Sequence, residues 1–183
     1  MEISVAHEFE IDRAEFEYAF ACEDLERLND LVHEVNRRDV VEWTDDGTRF
    51  RRVSEYHAKS RVPEFVGKIF RKDPSQVTQV MEYDRETHRG WYDIESPVLG
   101  KRFVYRSEFS IEEPAPGRAI RRSKLTVLVR LPAIGGRVEK LLKHEFEKRE
   151  SAEYEVCARF LKETWPGIRD RVMESWPSAR SFA

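Results

Sequence analysis

In the N-terminal segment, side chains expected to be buried alternate with polar or small ones, and the pattern then changes to that of a helix. The side chains expected on a buried face stand at every second residue, namely Ile3, Val5, His7, Phe9 and Ile11. A period of two predicts a half-buried β-strand. From Asp12, a candidate N-cap, the apolar spacing lengthens to that of an α-helix. An interruption near residues 22–24 predicts two short helices there instead of one long helix.

The period of two returns near residue 37 and continues through most of the chain. Asp46 and Gly47 separate two alternating runs, which is a strong hairpin signal. Further strands are predicted at Gln76–Arg85, Arg89–Ser96, Arg102–Glu112 and Ala119–Leu131. Glycine or proline in each connection predicts short turns and therefore antiparallel pairing. One segment, "VPEFVGKIFRKDP" at residues 62–74, instead has the spacing of a short helix.

A long helical pattern closes this series. It runs from about Ile134 to Trp165, and Pro166 ends it. Its apolar stripe is Val138, Leu141, Leu142, Phe146, Val156, Phe160 and Leu161. Residues 166–183 are interpreted as a C-terminal tail, in which "IRDRVMESW" is compatible with a short helix. The order of elements predicts one α+β domain over residues 1–165, in which the long helix covers an antiparallel sheet of about six or seven strands.

Composition restricts the classes of function. The chain of 183 residues has 32 basic and 35 acidic side chains and a formal net charge of −3, which gives no general reason to expect nucleic-acid binding. No apolar run is long enough for a transmembrane helix. The acidic, strand-like N-terminus argues against a targeting peptide, so we expect a cytoplasmic protein whose Cys22 and Cys157 are reduced thiols.

Candidate chemistry is sparse. Gly135 and Gly136 open the last helix and allow two interpretations: a phosphate site at a helix N-terminus, or a turn that brings the helix against the sheet. A P-loop would need a different glycine spacing and a following serine or threonine, so the turn is favoured. The five histidines are scattered, which predicts no metal site and no cofactor. The glutamates of "EKLLKHEFEKRESAEYE" are interpreted as solvated helix pairs, not as catalytic acids.

Three stretches resemble a little-characterised bacterial family within the START-like superfamily, also called SRPBCC, which includes the birch-pollen-allergen proteins and polyketide cyclases. They are "VPEFVGKIF", "QVTQVMEYDRE" and "VRLPAIGGRVEKLL". The resemblance implies the helix-grip fold, a curved antiparallel sheet wrapped around a long C-terminal helix. It carries over no catalytic residue, because the matching positions, such as Pro132, Glu139 and Lys140, belong to structural motifs.

The helix-grip resemblance directs attention to the concave face of the sheet. Strand parity and the helical stripe place one set of side chains there, and we predict that they line a cavity: His7, Tyr56, Met81, Tyr83, Tyr105, Ser107, Phe109, Leu142 and Phe146. The alternative is that these side chains simply fill the core. Phe65, Ile69 and Phe70 are predicted to close the cavity as a lid. The basic residues beside them allow a transient contact with a membrane surface.

These features predict a protein that binds a hydrophobic or amphipathic, lipid-like small molecule between the sheet and the last helix. Two alternatives remain open at this point. The same cavity serves a cyclase or hydratase, for which His7 is the inward-facing candidate acid or base. Otherwise the core is filled, and the chain is a non-catalytic domain that binds a protein partner.

Overall fold

The computed structural model describes residues 2–58, 76–97, 100–130, 132, 135–176 and 179–181. Its helices and strands follow the predicted order. The elements are β1 (Glu2–Phe9), α1 (Arg13–Ala21), α2 (Glu23–His33), β2 (Val35–Asp45), β3 (Arg49–Ala58), β4 (Gln76–Asp84), β5 (Arg89–Glu95), β6 (Phe103–Ala115), β7 (Arg118–Val129), α3 (Gly135–Glu163), α4 (Trp165–Glu174) and β8 (Ala179–Ser181). The predicted helix at residues 62–74, with its lid residues Phe65, Ile69 and Phe70, lies outside the described residues.

The strands form an antiparallel, curved sheet in the order β1-β7-β6-β5-β4-β3-β2-β8. Seven long strands make up this sheet, and the three-residue β8 pairs with β2 at Glu42–Thr44. The β2–β3 hairpin turns at Gly47, which has a φ of 88° and therefore adopts the backbone that glycine favours. The fold class predicted from the sequence is confirmed.

Gly90 of β5 is required by close packing. A Cβ atom built at this position would lie 2.4 Å from the carbonyl oxygen of Glu82 and 2.6 Å from the Phe109 ring. Phe109 therefore occupies the volume that a side chain at residue 90 would need, and its ring stacks on Tyr83 at 5.7 Å between ring centroids. Gly136, by contrast, has open space around such a Cβ atom. The close approach of the last helix to the sheet does not depend on a glycine at residue 136.

The long helix α3 is attached to the end of β7 by a hydrogen bond. The Val129 amide donates to Glu139 Oε1 at 2.8 Å, so the glutamate of the opening turn has a structural role. Val138 is buried beside Val129, whereas Leu141 is 37% exposed. Leu141 was predicted to belong to the apolar stripe of this helix, and that prediction is wrong, because the helix directs the following side chain, Leu142, toward the sheet.

The C-terminal segment packs onto the same core as the sheet. Trp165 is buried at the start of α4, and its indole donates a hydrogen bond to Glu15 of α1 at 3.1 Å. Trp176 contacts the Trp43 and Tyr18 rings at centroid distances of 5.5 and 5.1 Å. Residues beyond Pro166, which the sequence placed outside the predicted domain, therefore cover one end of the sheet and include the short helix α4.

Candidate functional site

The apolar interior is divided into two clusters. The larger one lies under α1, the C-terminal half of α3 and α4, and contains Phe9, Phe16, Phe50 and Phe160. The smaller one lies near the start of α3, where buried Leu125, Val127, Val129 and Val138 meet the half-buried side chains Ile3, Phe103, Tyr105, Leu142 and Phe146. Several ionisable side chains of the interior belong to neither cluster. Such groups are buried in proteins only at a cost in solvation energy, so their position marks the candidate site.

The structure separates the predicted cavity-lining residues into three groups. Met81, Tyr83 and Phe109 belong to the larger cluster, where the stacked rings fill space. Tyr105, Leu142 and Phe146 belong to the smaller cluster. The other three lie outside both clusters: Tyr56 and Ser107 are buried on β3 and β6, and His7 is half-buried on β1. The middle of the concave face therefore carries Tyr56, Ser107 and Tyr105, and the aromatic residues of the larger cluster lie elsewhere.

Three tyrosines converge between the clusters. Tyr92 of β5 was not predicted, but it stands opposite Met81 and Ser107 on the face that also carries Tyr56 and Tyr105. Burial raises the pKa of Tyr92 to about 12, and it raises the pKa of Tyr56 and Tyr105 above their ordinary range. Tyr92 and Tyr105 nevertheless keep part of their surface accessible. Protein atoms therefore desolvate these phenols, although two of the three side chains are not fully closed off from solvent.

Glu153 of α3 is the electrostatic centre of this group of side chains. Its Oε1 lies 2.7 Å from His33 Nε2 at the end of α2. Burial alone would raise the pKa of Glu153, but the hydrogen bond and charge of His33, together with Arg121, outweigh burial and lower it. Its charge also acts on side chains of four other elements and of its own helix, namely His7, Tyr92, Tyr105, Arg121, Glu150 and Cys157. Glu153 is therefore held ionised inside the protein.

Glu150, one turn earlier on α3, is also buried, but its neighbours are Arg121 and His7. It accepts a hydrogen bond from Arg121 Nη2 at 3.2 Å, and its Oε1 lies 3.4 Å from His7 Nδ1. Burial raises the pKa of Glu150 more than Arg121 lowers it, and the negative charge of Glu153 raises it further. Burial and the charge of Arg121 lower the pKa of His7, so the imidazole is kept neutral. The pair therefore brings a carboxyl whose pKa is raised next to an imidazole whose pKa is lowered.

Helix α2 contributes acidic side chains that meet guanidinium groups of the sheet. Glu26 lies 2.7 Å from Arg52 of β3 and 3.2 Å from Arg38 of β2. Asp30 also pairs with Arg38, whose guanidinium lies over the Tyr56 ring at 4.9 Å and donates to Gln79 at 3.1 Å. The pKa of Glu26 is lowered because these guanidinium charges outweigh its burial. The helix and sheet sides of the interior are therefore joined by ion pairs.

The interpretation of the α3 glutamates as solvated pairs is wrong for Glu150 and Glu153. The sequence contains a signal that identifies them, because the inward stripe of the helix continues through their positions. Intervals of three or four residues connect Val138, Leu142, Phe146, Glu150, Glu153, Cys157 and Phe160. Charged residues are seldom buried, so these two glutamates were expected to face solvent although their positions continue the inward stripe. Arg52 is similar, since it stands between inward-facing Phe50 and Ser54 in β3.

The two cysteines show no nucleophilic character. Both are free and buried, and burial raises the pKa of Cys22 to about 11 and of Cys157 to about 12, so both thiols keep their protons. Within the described parts of the chain, no three His, Cys, Asp or Glu side chains are grouped so as to hold a metal ion. None of the helices in these ranges combines the length and apolar composition that a membrane crossing requires.

Comparison with known proteins was informative only for structure. No family model matches the sequence, and no curated protein matches it. Among solved structures, TTHA0849 from Thermus thermophilus is 19% identical with a TM-score of 0.55, covering 97% of this chain and 100% of that protein. The Zhui aromatase/cyclase from Streptomyces sp. R1128 is 9% identical with a TM-score of 0.62, covering 96% of each chain.

A plant enzyme shows the same architecture. Norcoclaurine synthase from Thalictrum flavum is 11% identical with a TM-score of 0.59, covering 89% of this chain and 87% of that protein. Identities this low establish a shared fold and leave activity open. The narrower resemblance to one bacterial family stays a prediction. The sheet order, the long helix α3 and these structural likenesses together show that the chain has the helix-grip fold, as the resemblance to the START-like superfamily implied.

Proposed function

We propose that the chain binds a hydrophobic or amphipathic small molecule between the concave face of the sheet and α3. The observation that carries this proposal is the convergence of Tyr56, Tyr92 and Tyr105. Desolvation raises the pKa of all three phenols, while Tyr92 and Tyr105 keep accessible surface. Aromatic walls with a few polar groups are the usual composition of a small-molecule site.

The neighbouring apolar side chains support the same proposal. Leu142 and Phe146 are half-buried on the inward side of α3, beside Tyr105, and they continue the aromatic surface toward the smaller cluster. Burial of a ligand's apolar surface against them would supply most of the affinity, at about 25 cal/mol per Å² before the costs of ordering the ligand. The polar groups at Glu150 and Glu153 would then orient the molecule.

The test uses two adjacent leucines of α3 as a matched pair. Native mass spectrometry and organic extraction of the purified protein identify any ligand already bound, and fluorescence titration with 2-methoxynaphthalene measures binding to the empty protein. Leu142→Trp fills the proposed space and should abolish saturable binding. Leu141→Trp adds the same ring at an exposed position and should leave binding unchanged. An absence of both extractable ligand and saturable binding, or equal binding by the two variants, would overturn the proposal.

A second candidate function is catalysis of proton transfer in the same space. The specific observation is Glu150, a buried carboxyl with a raised pKa that lies 3.4 Å from the neutral His7 ring. A general acid or base here would exchange the methyl hydrogens of bound 2-acetonaphthone with solvent deuterium faster than buffer does. Exchange that Glu150→Gln abolishes would establish this function, whereas exchange at the buffer rate would leave the binding protein as the better description.

A further inference from the structure

We propose that Glu153 selects the ligand: the site takes an uncharged molecule whose hydroxyl group donates a hydrogen bond to this carboxylate, and it rejects a carboxylate-bearing ligand such as a fatty acid. The proposal rests on the function proposed above and specifies the chemistry of that same site. It assigns Glu153 as the residue that determines specificity, a role that would require a free acceptor atom, access to the bound molecule and a fixed charge.

The free acceptor is the second carboxylate oxygen of Glu153. His33 Nε2 lies 2.7 Å from Oε1, and no other donor among the described residues reaches this carboxylate. An ionised carboxylate accepts about four hydrogen bonds when it is satisfied. Arg121, whose charge also acts on Glu153, donates its hydrogen bond to Glu150. A carboxylate oxygen that has accessible surface and no protein donor is open to a ligand hydroxyl, which would donate a hydrogen bond to it.

Access to the ligand follows from the surroundings of Glu153. Its side chain retains 18% of its accessible surface although protein atoms desolvate it, as for the adjacent phenols. The negative charge of Glu153 raises the pKa of both Tyr92 and Tyr105, and these two tyrosines belong to different strands of the concave face. The structure shows no hydrogen bond from the Tyr105 hydroxyl to another described residue. The carboxylate and this phenol therefore offer an acceptor and a donor to one bound molecule.

The charges around the site oppose an anionic ligand. Glu150 and Glu153 stand one turn apart on the same helix, and each raises the cost of placing a further negative charge nearby. The interior guanidinium groups already have carboxylate partners: Arg121 pairs with Glu150, and Arg38 and Arg52 pair with Glu26. A ligand carboxylate would compete with these protein carboxylates for the guanidinium charge, although the buried Nε atoms of Arg121 and Arg52 have no hydrogen-bond partner among the described residues. A neutral hydroxyl meets no such competition and gains a hydrogen bond to a charged acceptor, which is among the stronger kinds.

The experiment compares three probes of the same aromatic size. 2-Naphthol is a neutral donor at pH 7, 2-methoxynaphthalene lacks the donor, and 2-naphthoate carries the negative charge. We expect 2-naphthol to bind about tenfold more tightly than 2-methoxynaphthalene, and 2-naphthoate to bind more weakly than either. This ranking is measured in the unchanged protein, so it decides the proposal even where a variant fails to fold.

Two variants of α3 connect the ranking to the assigned residue. Glu153→Gln keeps the size of the side chain and removes the charge, so the preference for 2-naphthol over 2-methoxynaphthalene should fall to about twofold or less. Glu155→Gln makes the same change at an exposed position of the helix and should keep the tenfold preference. Tightest binding by 2-naphthoate, or a preference that survives Glu153→Gln, would overturn the proposal. Failure of all three probes to bind saturably would instead contradict the ligand-binding function itself.

Discussion

His33 and Glu153 join the end of α2 to the middle of α3 through a contact of 2.7 Å between Nε2 and Oε1. Arg149 strengthens the same junction, because its Nη1 donates to the Val32 carbonyl at 2.8 Å. The chain reverses directly after His33 at Glu34, which has a φ of 53° and ends α2 in a left-handed conformation. The position of the carboxylate inside the protein therefore depends on a residue that ends another helix.

The first prediction concerns this contact. Replacement of His33 by alanine should reduce the free energy of unfolding by about 1 kcal/mol at pH 7, because an enclosed carboxylate loses its donor. The pKa of Glu153 is lowered in the folded protein, so its favourable contribution is present above the unfolded value of 4.5 and is lost as the pH falls through the folded value. The destabilisation measured by urea unfolding should therefore shrink between pH 5 and pH 3.

His144→Ala is the matched control for that experiment. His144 is an exposed histidine on α3, and its removal should change the free energy of unfolding by less than about 0.5 kcal/mol at either pH. A loss in His33→Ala that is equally large at pH 3 and pH 5 would show that the imidazole acts through packing. The electrostatic account of Glu153 would then be wrong.

The second prediction concerns Glu150, whose pKa shifts in the opposite direction. Because burial raises the pKa of this carboxyl, the folded protein holds its proton more tightly than the unfolded chain does. Stability that depends on this proton is present at low pH and is lost as the pH rises from 4.5 through the folded pKa. Glu150→Gln never ionises, so the variant should gain stability relative to the unchanged protein as the pH rises.

Urea unfolding at pH 5, 6.5 and 8 measures this gain. The charged or titratable groups that act on Glu150 are Arg121, His7, Glu153 and His33. All of them are present in both proteins, so their own titration cancels to first order in the difference between the two free energies of unfolding. Glu147→Gln, an exposed change on the same helix, should give a difference that does not vary with pH. A Glu150→Gln difference that falls with rising pH would mean that Arg121 outweighs burial.

Local sequence information was sufficient to predict the helices and strands and their order, whereas the helix-grip fold itself was implied by the resemblance. Strand period, the Asp46-Gly47 hairpin and the apolar stripe of α3 are properties of short segments, and each led to an element with bounds within a few residues of those observed. The first strand ends at Phe9 and not at Ile11, because the buried Ile11 lies in the connection to α1. Such small errors at boundaries arise because a pattern of burial continues where backbone pairing stops.

The candidate site was harder to predict, for two physical reasons. The first is that Glu150, Glu153 and Arg121 break the rule that charged side chains face solvent, and the rule outweighed their positions on inward stripes. The second is that their surroundings are tertiary. His33 and Glu153 are far apart in the sequence, and the pKa of His7 is lowered by burial and by the charge of Arg121 on another strand. Periodicity identifies the face of an element, but the partner across the interior follows only from the assembled fold.

The third prediction concerns Gly90. Gly90→Ala would place a Cβ atom 2.4 Å from the Glu82 carbonyl oxygen, where the backbone of the neighbouring strand has little freedom to move. We expect a loss of about 2–3 kcal/mol in the free energy of unfolding, as is typical when a packed interior is overfilled. Gly136→Ala, at the exposed start of α3 with open space around the new methyl group, should be neutral or stabilising by up to about 1 kcal/mol. Equal effects in the two variants, measured by urea unfolding, would contradict this packing argument.

The last prediction concerns the attachment of the C-terminal segment. Trp176 donates a hydrogen bond to buried Asp45, which is also held by two hydrogen bonds from Arg85 at 2.7 and 2.8 Å. Trp176→Phe keeps most of the ring contacts and removes the donor, so it should reduce the free energy of unfolding by about 1 kcal/mol.

Trp176→Ala also removes the contacts with the Trp43 and Tyr18 rings, so its loss should reach about 2–3 kcal/mol for this half-buried side chain. Met173→Ala on the exposed side of α4 should stay within about 0.5 kcal/mol of the unchanged protein. Chemical unfolding monitored by far-ultraviolet circular dichroism measures all three variants. If Trp176→Ala unfolds at the same urea concentration as Met173→Ala, the segment after Pro166 contributes nothing to the domain. A larger loss of unfolding free energy in Trp176→Ala than in Trp176→Phe would instead show that Trp176 belongs to the cooperatively folded unit. The domain would then continue beyond the predicted boundary at residue 165, because only a side chain that is packed in the native state changes the stability of the whole domain.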